Sequence, residues 1–280
     1  MGDLGQDTAV EQVDEGRYTG KLSDAWAIWG PMGGYIASFA LRAAGAASPF
    51  DRPASFFCQY LGVAAFDTVD IEVTTLRQAK TALAQRVHIT QGGRSMLEAT
   101  VWSTGEVDGL DHDETHPPDV PSPGDLKPIT ELLSPEELET GPPFPFWLNF
   151  ETRPINFRKD WPPKEPLPPV WRQWCQFQPS ATYDDPWLDA CRSVILIDVQ
   201  SWPAAHQPHA WKDHGMYAPS LDLYVSFNDP QPQSAWLLTD GEGPVAAHGL
   251  MAWNGRLWSE DRKLVASGMG QLLCRRMPGR

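Results

Sequence analysis

The hydrophobic pattern of the chain is strongest over residues 33–47. Apolar side chains recur there at the spacing of a helix, at Ile36, Phe39, Ala40, Ala43 and Ala47. A helix that is apolar on nearly all sides must be covered by other elements, and this one falls short of the about 20 apolar residues that a membrane span needs. The pattern therefore predicts a buried helix that begins at Gly33 and ends near Gly45, with a sheet wrapped around it.

Two glycines, Gly33 and Gly34, open this predicted helix, and Tyr35 follows them. One interpretation is that the glycines only form a tight turn. The other is that they leave the N–H groups of a helix N-terminus open to a substrate oxygen, because glycine has no side chain to block the approach. Both interpretations stay open at this point, and Gly33, Gly34 and Tyr35 are candidate substrate-binding residues.

Short segments of alternating polarity follow the helix and predict an antiparallel sheet. The predicted strands lie at 54–61, 69–74, 83–89 and 97–101. The Gly92-Gly93 pair predicts the turn between the last two strands. Before the helix, residues 17–29 predict a strand and a turn, whereas residues 1–16 are polar and predicted to be frayed. The first unit is therefore a strand, a helix and four antiparallel strands.

The segment between residues 105 and 142 has the composition of a linker, since it is rich in proline and has no apolar periodicity. Residues 106–139 hold eleven acidic side chains and one basic one, Lys127, so the net charge of −14 falls to −4 without them. His112 and His116 among these carboxylates allow a metal site, but a solvated acidic loop explains the composition better. No metal is predicted, and the lack of a basic stripe disfavours a nucleic acid partner.

After this segment the pattern of the first unit starts again. Strands predicted at 144–157 and 171–177 precede a helix that begins at Asp184-Asp185-Pro186 and runs to about Trp202. The remaining predicted elements are strands at 221–227, 236–238 and 246–253, a turn at Asn254-Gly255, and a hairpin that turns at Glu260-Asp261 into 264–274.

The two halves correspond element by element. Arg94–Ala99 in the first half and Arg262–Ser267 in the second each follow a turn and close a run of four strands after one long helix. A repeat of this size indicates a duplicated unit. One sheet wrapped around one apolar helix, twice over, is an α+β architecture.

The order and spacing of these segments resemble the acyl-CoA thioesterase II-like family, in which one polypeptide contains two hotdog domains. The matching segments are 33–44, 53–61 and 86–100 in the first half and 188–202, 219–227 and 255–275 in the second. The resemblance implies an N-terminal hotdog domain over 1–105, an acidic Pro-rich linker over 106–142 and a C-terminal hotdog domain over 143–280. It also implies an acyl-CoA substrate, no cofactor, and a fold compatible with a homo-oligomer.

Asp198 lies on the apolar stripe of the second predicted helix, in line with Cys191, Val194 and Ile195. A carboxylate there faces the core or a cleft, and its burial costs free energy unless it is hydrogen-bonded. It could hold a backbone amide or a tryptophan N–H in a structural role, or it could act as a base that activates water. The family has an aspartate at the matching position, so the resemblance implies the catalytic role.

The resemblance implies two further catalytic residues, Ser220 and Gln271. In the family a serine or threonine at the start of the strand hydrogen-bonds the attacking water. Strict alternation places Ser220 on the polar face of its strand, so it reaches the site only if the strand twists or is irregular at its start. The family glutamine falls on Gly270, and Gln271 comes one residue later, which reverses the face of the side chain. If Gln271 acts at the site, the strand must contain a bulge between Ala266 and Gln271; if the strand is regular, Gln271 points away and only Gly270 faces the site.

Composition and missing motifs narrow the chemistry further. Thirteen tryptophans favour large buried or substrate-lining surfaces, and four scattered cysteines show no metal-ligand spacing. No Gly-x-Ser-x-Gly elbow, phosphate loop or dinucleotide fingerprint occurs. His206, His209 and His214 lie in one loop and could form a ligand cluster, although surface histidines explain them better. The chain has no start of the secretory type and no predicted membrane segment, so a cytoplasmic location is expected.

The expected reaction is hydrolysis of an acyl thioester by a water that Asp198 polarises and that Ser220 and Gln271 hold in place. The oxyanion is expected on N–H groups at a helix start, either at Gly33-Gly34 or at the 185–187 turn. The acyl chain needs an apolar tunnel, which the seam between helix and sheet could supply. The alternative is a double hotdog protein that binds acyl ligands without turnover. A hotdog hydratase would use an Asp–His pair at a helix, and neither predicted helix contains a histidine.

Overall fold

The computed structural model describes residues 1–212, 215–228 and 233–277. The helices of these ranges are α1 (Leu4–Asp7), α2 (Gly33–Ala46), α3 (Ile129–Leu132), α4 (Pro135–Thr140), α5 (Pro186–Val199) and α6 (Ser201–His206). The strands are β1 (Glu11–Asp14), β2 (Arg17–Lys21), β3 (Arg52–Tyr60), β4 (Thr68–Gln78), β5 (Ala82–Gln91), β6 (Arg94–Thr104), β7 (Phe150–Pro154), β8 (Val170–Phe177), β9 (Met216–Tyr217), β10 (Asp222–Phe227), β11 (Leu237–Ala247), β12 (Leu250–Ser259), β13 (Leu264–Leu273) and β14 (Arg275–Arg276).

Most of these strands belong to one antiparallel sheet. Its order is β1-β2-β4-β5-β6-β3-β10-β13-β12-β11-β8-β7 in the described ranges. The second half of this order is the reverse of the first, with β3 and β10 paired at the centre. The elements β1, β2, α2 and β3 to β6 therefore correspond to β7, β8, α5 and β10 to β13, which is the repeated unit that the sequence indicates.

The two long helices, α2 and α5, pack against each other in antiparallel orientation beneath this sheet. Glycines allow the close approach, because a Cβ at Gly34 would lie 2.7 Å from the Ile195 Cα and a Cβ at Gly45 would lie 2.5 Å from the Trp187 ring. Buried residues of both helices and of the inner face of the sheet form one continuous core. The antiparallel packing brings the N-terminus of α2 next to the C-terminus of α5.

The N-terminal segment is folded, so the prediction of a frayed end over 1–16 is wrong. It forms α1 and β1, Leu4 is fully buried in the core, and the Gly2 N–H donates to the Asn149 Oδ1 at 2.7 Å. The polar composition does not predict this folded segment, because a single buried leucine and backbone hydrogen bonds are enough to hold it in place. The N-terminus therefore packs against the beginning of the second half.

The predicted linker is also more structured than its composition indicates. Residues 106–117 are largely exposed and have no regular structure, but α3 and α4 follow, and residues 118–126 pack on the second half. Trp174, Arg153 and Arg262 each donate to backbone carbonyls of that segment. The interpretation of the segment as a solvated loop is therefore wrong for residues 118–126, since side chains from distant strands donate hydrogen bonds to their backbone carbonyls.

Two element boundaries in the second half differ from the predictions. The turn between β11 and β12 lies at His248-Gly249, both with positive φ, and not at Asn254-Gly255, which is inside β12. Gly255 is needed there because a Cβ would lie 2.5 Å from the Gln200 Nε2. The helix α5 ends at Val199, and a separate helix, α6, contains Pro203. In the described part of the chain, no helix has both the length and the apolar character for crossing a membrane.

Candidate active site

Asp198 lies in the last turn of α5, where that helix meets the first turn of α2. Its Oδ1 accepts a hydrogen bond from the Ser220 Oγ at 2.8 Å, and its Oδ2 accepts one from the Gly34 N–H at 2.8 Å. The side chain is almost fully buried, with 5% of its surface exposed. Three of the predicted site residues, from three separate segments, therefore meet at one carboxylate.

The environment of Asp198 makes the carboxyl a weaker acid than usual. Burial raises the pKa of Asp198 to about 6, because a charged carboxylate loses its hydration, and the hydrogen bonds from Ser220 and Gly34 oppose part of that rise. The Gly34 N–H belongs to a helix N-terminus, whose partial positive charge favours the ionised form. The carboxyl can therefore gain and release a proton close to neutral pH.

Ser220 reaches Asp198 because the chain is irregular just before β10. Tyr224 pairs with Met269, whereas Ser220 pairs with Leu272, so four steps along one chain match three along the other. One extra residue in a strand reverses the face of the side chains beyond it. The irregularity thus lies at the start of β10, and it turns Ser220 from the outer face, where Tyr224 lies, towards the helices.

Gln271 does not reach Asp198, because the last strand is regular and lacks the bulge that this would require. The pairing of β13 with β12 is unbroken from Ala266 to Leu273. Alternation puts Gln271 on the face of Met269, which is 57% exposed, and its side chain has no hydrogen bond to Asp198 or Ser220. The predicted placement of Gln271 beside the carboxylate is wrong in this structure.

Gly270 is the residue of β13 that faces the helices beside Gln271. A Cβ at this position would lie 2.5 Å from the Asp222 backbone oxygen and 3.1 Å from the Trp253 Nε1. The indole of Trp253, on the neighbouring strand β12, therefore occupies the space into which an inward side chain at position 270 would extend. The Trp253 Nε1 is buried and has no hydrogen-bond partner among the described residues.

The first two glycines of α2 have different surroundings. Gly34 packs on the backbone of α5, whereas Gly33 faces the site, since a Cβ there would lie 2.5 Å from the Asp198 Oδ2 and 3.1 Å from the Tyr60 hydroxyl. Tyr35 points elsewhere: its hydroxyl donates to the Asp7 carbonyl at 2.7 Å and accepts from the Ser23 N–H at 2.9 Å. Tyr35 is fully buried, which leaves it no exposed surface for the predicted substrate contact.

Tyr60 is a site residue that the sequence predictions missed. Its hydroxyl is buried without a hydrogen-bond partner in the described ranges, beside the Cys58 thiol, which is only a weak hydrogen-bonding group. Burial, followed by the nearby Asp198 carboxylate, raises the pKa of Tyr60 well above its usual value, so the hydroxyl keeps its proton. The sequence signal was its position at the end of the predicted strand 54–61, on the same face as Cys58.

The symmetry-related position in the first half carries no acid. Gly45 is the thirteenth residue of α2, as Asp198 is of α5, and the Trp187 ring fills the space next to it. The 185–187 turn, one of the two predicted oxyanion sites, lies at the far end of α5, about 18 Å from Asp198 along the helix. Its Trp187 N–H donates to the Asp185 side chain at 2.9 Å. This turn is therefore not part of the Asp198 site, and the prediction for it is wrong.

The other sites considered from the sequence contain no comparable chemistry. In the described ranges, no group of three or more potential metal ligands converges. His206 stacks on Trp202, and His214 lies outside the described residues. A groove of about 740 Å³ is lined by the N-terminal segment and residues 23–27 and does not include Asp198, so it does not correspond to the expected acyl tunnel.

Comparison with known families agrees with this arrangement of helices and sheet. Residues 22–104 match the acyl-CoA thioesterase N-terminal domain, and residues 118–273 match the acyl-CoA thioesterase C-terminal domain. The chain belongs to the acyl-CoA thioesterase family. As a member of this family it is a thioester hydrolase, which confirms the resemblance seen in the sequence.

Solved structures show the same fold as this acyl-CoA thioesterase. The acyl-CoA thioesterase II TesB2 from Mycobacterium marinum is 20% identical, with a TM-score of 0.79 and coverage of 99% of this chain and 100% of that one. The tesB protein of Mycobacterium avium subspecies paratuberculosis is 23% identical, with a TM-score of 0.78 and coverage of 97% and 98%. A hot dog fold protein of unknown function from Alicyclobacillus acidocaldarius is 20% identical, with a TM-score of 0.80 and coverage of 98% of both chains. These likenesses confirm the hotdog fold. No curated protein matches the chain.

Proposed function

We propose that the protein hydrolyses acyl-CoA thioesters with Asp198 as the general base and without a covalent intermediate. The observation that carries the proposal is the buried Asp198 carboxylate, with its raised pKa and its hydrogen bonds from Ser220 and Gly34. Each carboxylate oxygen has a second acceptor position, so Asp198 can hold a water as well as these two donors. A base with a pKa just below neutral is suited to proton abstraction at physiological pH.

In the proposed reaction, a water held by Asp198 attacks the thioester carbonyl carbon. The proton of the water passes to Asp198, the tetrahedral intermediate expels the CoA thiolate, and Asp198 returns the proton to the sulfur. The products are a carboxylic acid and free CoA, and the carboxylate is regenerated. Ser220 takes part by fixing the orientation of Asp198 and its water.

The developing oxyanion needs donors that are fixed before the reaction. The first N–H groups of a helix have no acceptor within the helix. In α2, one of these groups, the Gly34 N–H, donates its hydrogen bond to Asp198. We assign the N–H of the adjacent Gly33 and the unpaired Tyr60 hydroxyl to the oxyanion, because a Cβ at Gly33 would lie 2.5 Å from the Asp198 Oδ2 and 3.1 Å from that hydroxyl. Of the two oxyanion sites expected from the sequence, the proposal thus retains the Gly33-Gly34 start.

The pH dependence of hydrolysis follows from the raised pKa of Asp198. Protonated Asp198 cannot accept a proton from water, so kcat/KM is expected to fall about tenfold per pH unit below pH 6 and to level off above it. The measurement is release of free CoA thiol from pH 4.5 to 8.5, with circular dichroism at each pH to verify folding. A profile that is flat between pH 5 and 7 would contradict Asp198 as the base.

Ser220 and Gln271 are expected to behave differently when each is replaced by alanine. Ser220→Ala removes a hydrogen bond to a charged group, which is worth about 1.5–3 kcal/mol, and should lower kcat about 10-fold or more. Gln271→Ala should change kcat less than about twofold, since its side chain lies on the outer face. Steady-state kinetics of both variants test this. If Gln271→Ala greatly lowered kcat while Ser220→Ala kept the normal kcat, the roles assigned to these two residues would be wrong.

A second candidate function is binding of acyl-CoA without turnover. It is favoured by Gly270, because the residue that faces the site on β13 has no side chain to hold a water. An assay against acyl-CoA substrates of increasing chain length distinguishes the two functions. Binding of these ligands without release of free thiol at any chain length would favour the second.

A further inference from the structure

A cluster of aromatic side chains lies around the ends of the helices that form the Asp198 site. Trp29, just before α2, contacts Tyr217 edge-on with ring centres 5.4 Å apart, and it contacts Trp202, just after α5, at 6.0 Å. The Trp29 ring also contacts Phe144 at 6.4 Å. Although it makes these contacts, Trp29 keeps 44% of its surface exposed. The cluster thus presents an aromatic surface to solvent close to the carboxylate.

Two arginines lie beside this cluster on the short strand β14. Arg275 pairs with Tyr217 and Arg276 pairs with Met216 in the ribbon formed with β9. Residues directly opposite each other in a β-ribbon have side chains on the same face, and neighbours along a strand point to opposite faces. Arg275 therefore shares the face of Tyr217, whereas Arg276 lies on the other face.

Both arginines are exposed, and neither is paired with a carboxylate in the part of the chain that the structure describes. This matters in a chain whose net charge is −14, because an anion then needs a local positive group to bind it. An unpaired guanidinium beside an exposed aromatic ring offers two contacts at once, a bidentate hydrogen bond to phosphate and a surface for stacking.

The arginine pair lies within reach of the proposed site. Leu272 pairs with Ser220, the hydrogen-bond partner of Asp198. Arg275 follows Leu272 by three residues, which corresponds to about 10 Å of extended chain. A ligand whose reactive group is at Asp198 and whose anionic group is at Arg275 therefore needs a linear arm between them, as the pantetheine arm is in coenzyme A.

We infer that Arg275, Tyr217 and Trp29 form a subsite for the phosphate-bearing nucleotide of coenzyme A. The inference rests on the proposed function, since the acyl-CoA must place its thioester at Asp198. Arg275 pairs with a phosphate of the nucleotide, and the exposed Trp29 ring contacts the adenine or the adjoining arm. The subsite favours acyl-CoA over thioesters that lack the nucleotide.

The test compares two thioesters with the same acyl group, an acyl-CoA and the corresponding acyl-N-acetylcysteamine, which has no phosphate. Arg275→Ala should raise KM for the acyl-CoA about tenfold with little change in kcat, and should leave kcat/KM for the acyl-N-acetylcysteamine unchanged. Arg276→Ala is the matched control, because it removes the same charge from the other face, and it should change KM much less. The rise in KM should shrink as salt concentration increases.

Several outcomes overturn the inference. Equal losses with both thioesters in Arg275→Ala indicate a structural role, and equal effects of Arg275→Ala and Arg276→Ala indicate only a general loss of positive charge. If the unaltered protein hydrolyses neither thioester, the proposed function fails, and calorimetric titration with CoA itself then tests the subsite. Weaker CoA binding by Arg275→Ala than by Arg276→Ala would support it, and equal binding would not.

Discussion

Asp198→Asn is expected to lower kcat for acyl-CoA hydrolysis by about 10²-fold or more, the usual range for loss of general acid–base catalysis, while the fold is retained. Asparagine has the same shape, its Oδ1 can accept from the Gly34 N–H, and its Nδ2 can donate to the Ser220 hydroxyl, so both observed contacts are kept. An amide cannot take the proton of the water. Release of free thiol, measured together with circular dichroism and thermal unfolding, tests the expectation.

Asp185→Asn is a suitable control because Asp185 is the N-cap of the same helix, at its other end. This variant should keep most of its stability, because asparagine caps a helix about as well as aspartate and its Oδ1 can still accept from the Trp187 N–H, and it should keep its kcat. If a folded Asp198→Asn protein hydrolysed acyl-CoA at the normal rate, the proposed mechanism would be wrong.

Thermal unfolding of Asp198→Asn has its own pH dependence. Because the pKa of Asp198 is raised to about 6 in the folded protein, the unfolded chain binds fewer protons between about pH 4 and 6, and stability falls as pH rises through this range. Asparagine has no such cost. The difference in Tm between the variant and the unaltered protein should therefore shift in favour of the variant from pH 4 to pH 7. This measurement reports the cost of burying the charge independently of its effect on catalysis.

The sequence predicts the framework well because it depends on patterns that local residues determine. The helix expected from Gly33 to Gly45 is α2, which ends at Ala46, and the helix expected from 184–186 onwards is α5. Both are buried along nearly their whole length, which only a central position in the fold allows. The alternating strands of the first half also occur where predicted, with the turn at Gly92-Gly93.

The site is harder to predict because it depends on the register between distant strands. Asp198 could be proposed from a single helix, since a carboxylate on an apolar stripe needs an explanation. The orientation of Ser220 depends on one extra residue before Tyr224, which is visible only when β10 is paired with β13. At Gln271 the pairing is regular, so its side chain stays on the outer face. The sequence could not show this, because Gly268 and Gly270 are compatible with either a bulge or a regular strand.

Composition was misleading where distant side chains supply the missing interactions. The segment 118–126 has no apolar periodicity of its own, yet Trp174 and Arg262 donate to its carbonyls. The proposed role of Tyr60 likewise depends on its burial near Asp198, which belongs to the second half of the chain. A pattern along the sequence contains no information about such partners.

The second large effect is expected from the glycine pair at the start of α2, where the same substitution should have different consequences at adjacent positions. In Gly33→Ala, the added methyl would lie 2.5 Å from the Asp198 Oδ2 and 3.1 Å from the Tyr60 hydroxyl. Both are ends of side chains, which can shift, so the fold tolerates the change. A shift of the carboxylate by a fraction of an ångström to 1 Å is expected to lower kcat by on the order of 10²-fold.

In Gly34→Ala, the methyl would meet the backbone of α5, at 2.7 Å from the Ile195 Cα and 2.8 Å from the Val194 oxygen. Backbone cannot move aside without separating the two helices, so this variant should lose about 1–3 kcal/mol of stability from overpacking. Thermal unfolding and kcat, measured for both variants, separate the two roles. Normal kcat in Gly33→Ala would contradict the placement of this glycine in the site. A Gly34→Ala protein as stable as the unaltered one would contradict the close packing of α2 on α5 that brings its N-terminus to Asp198.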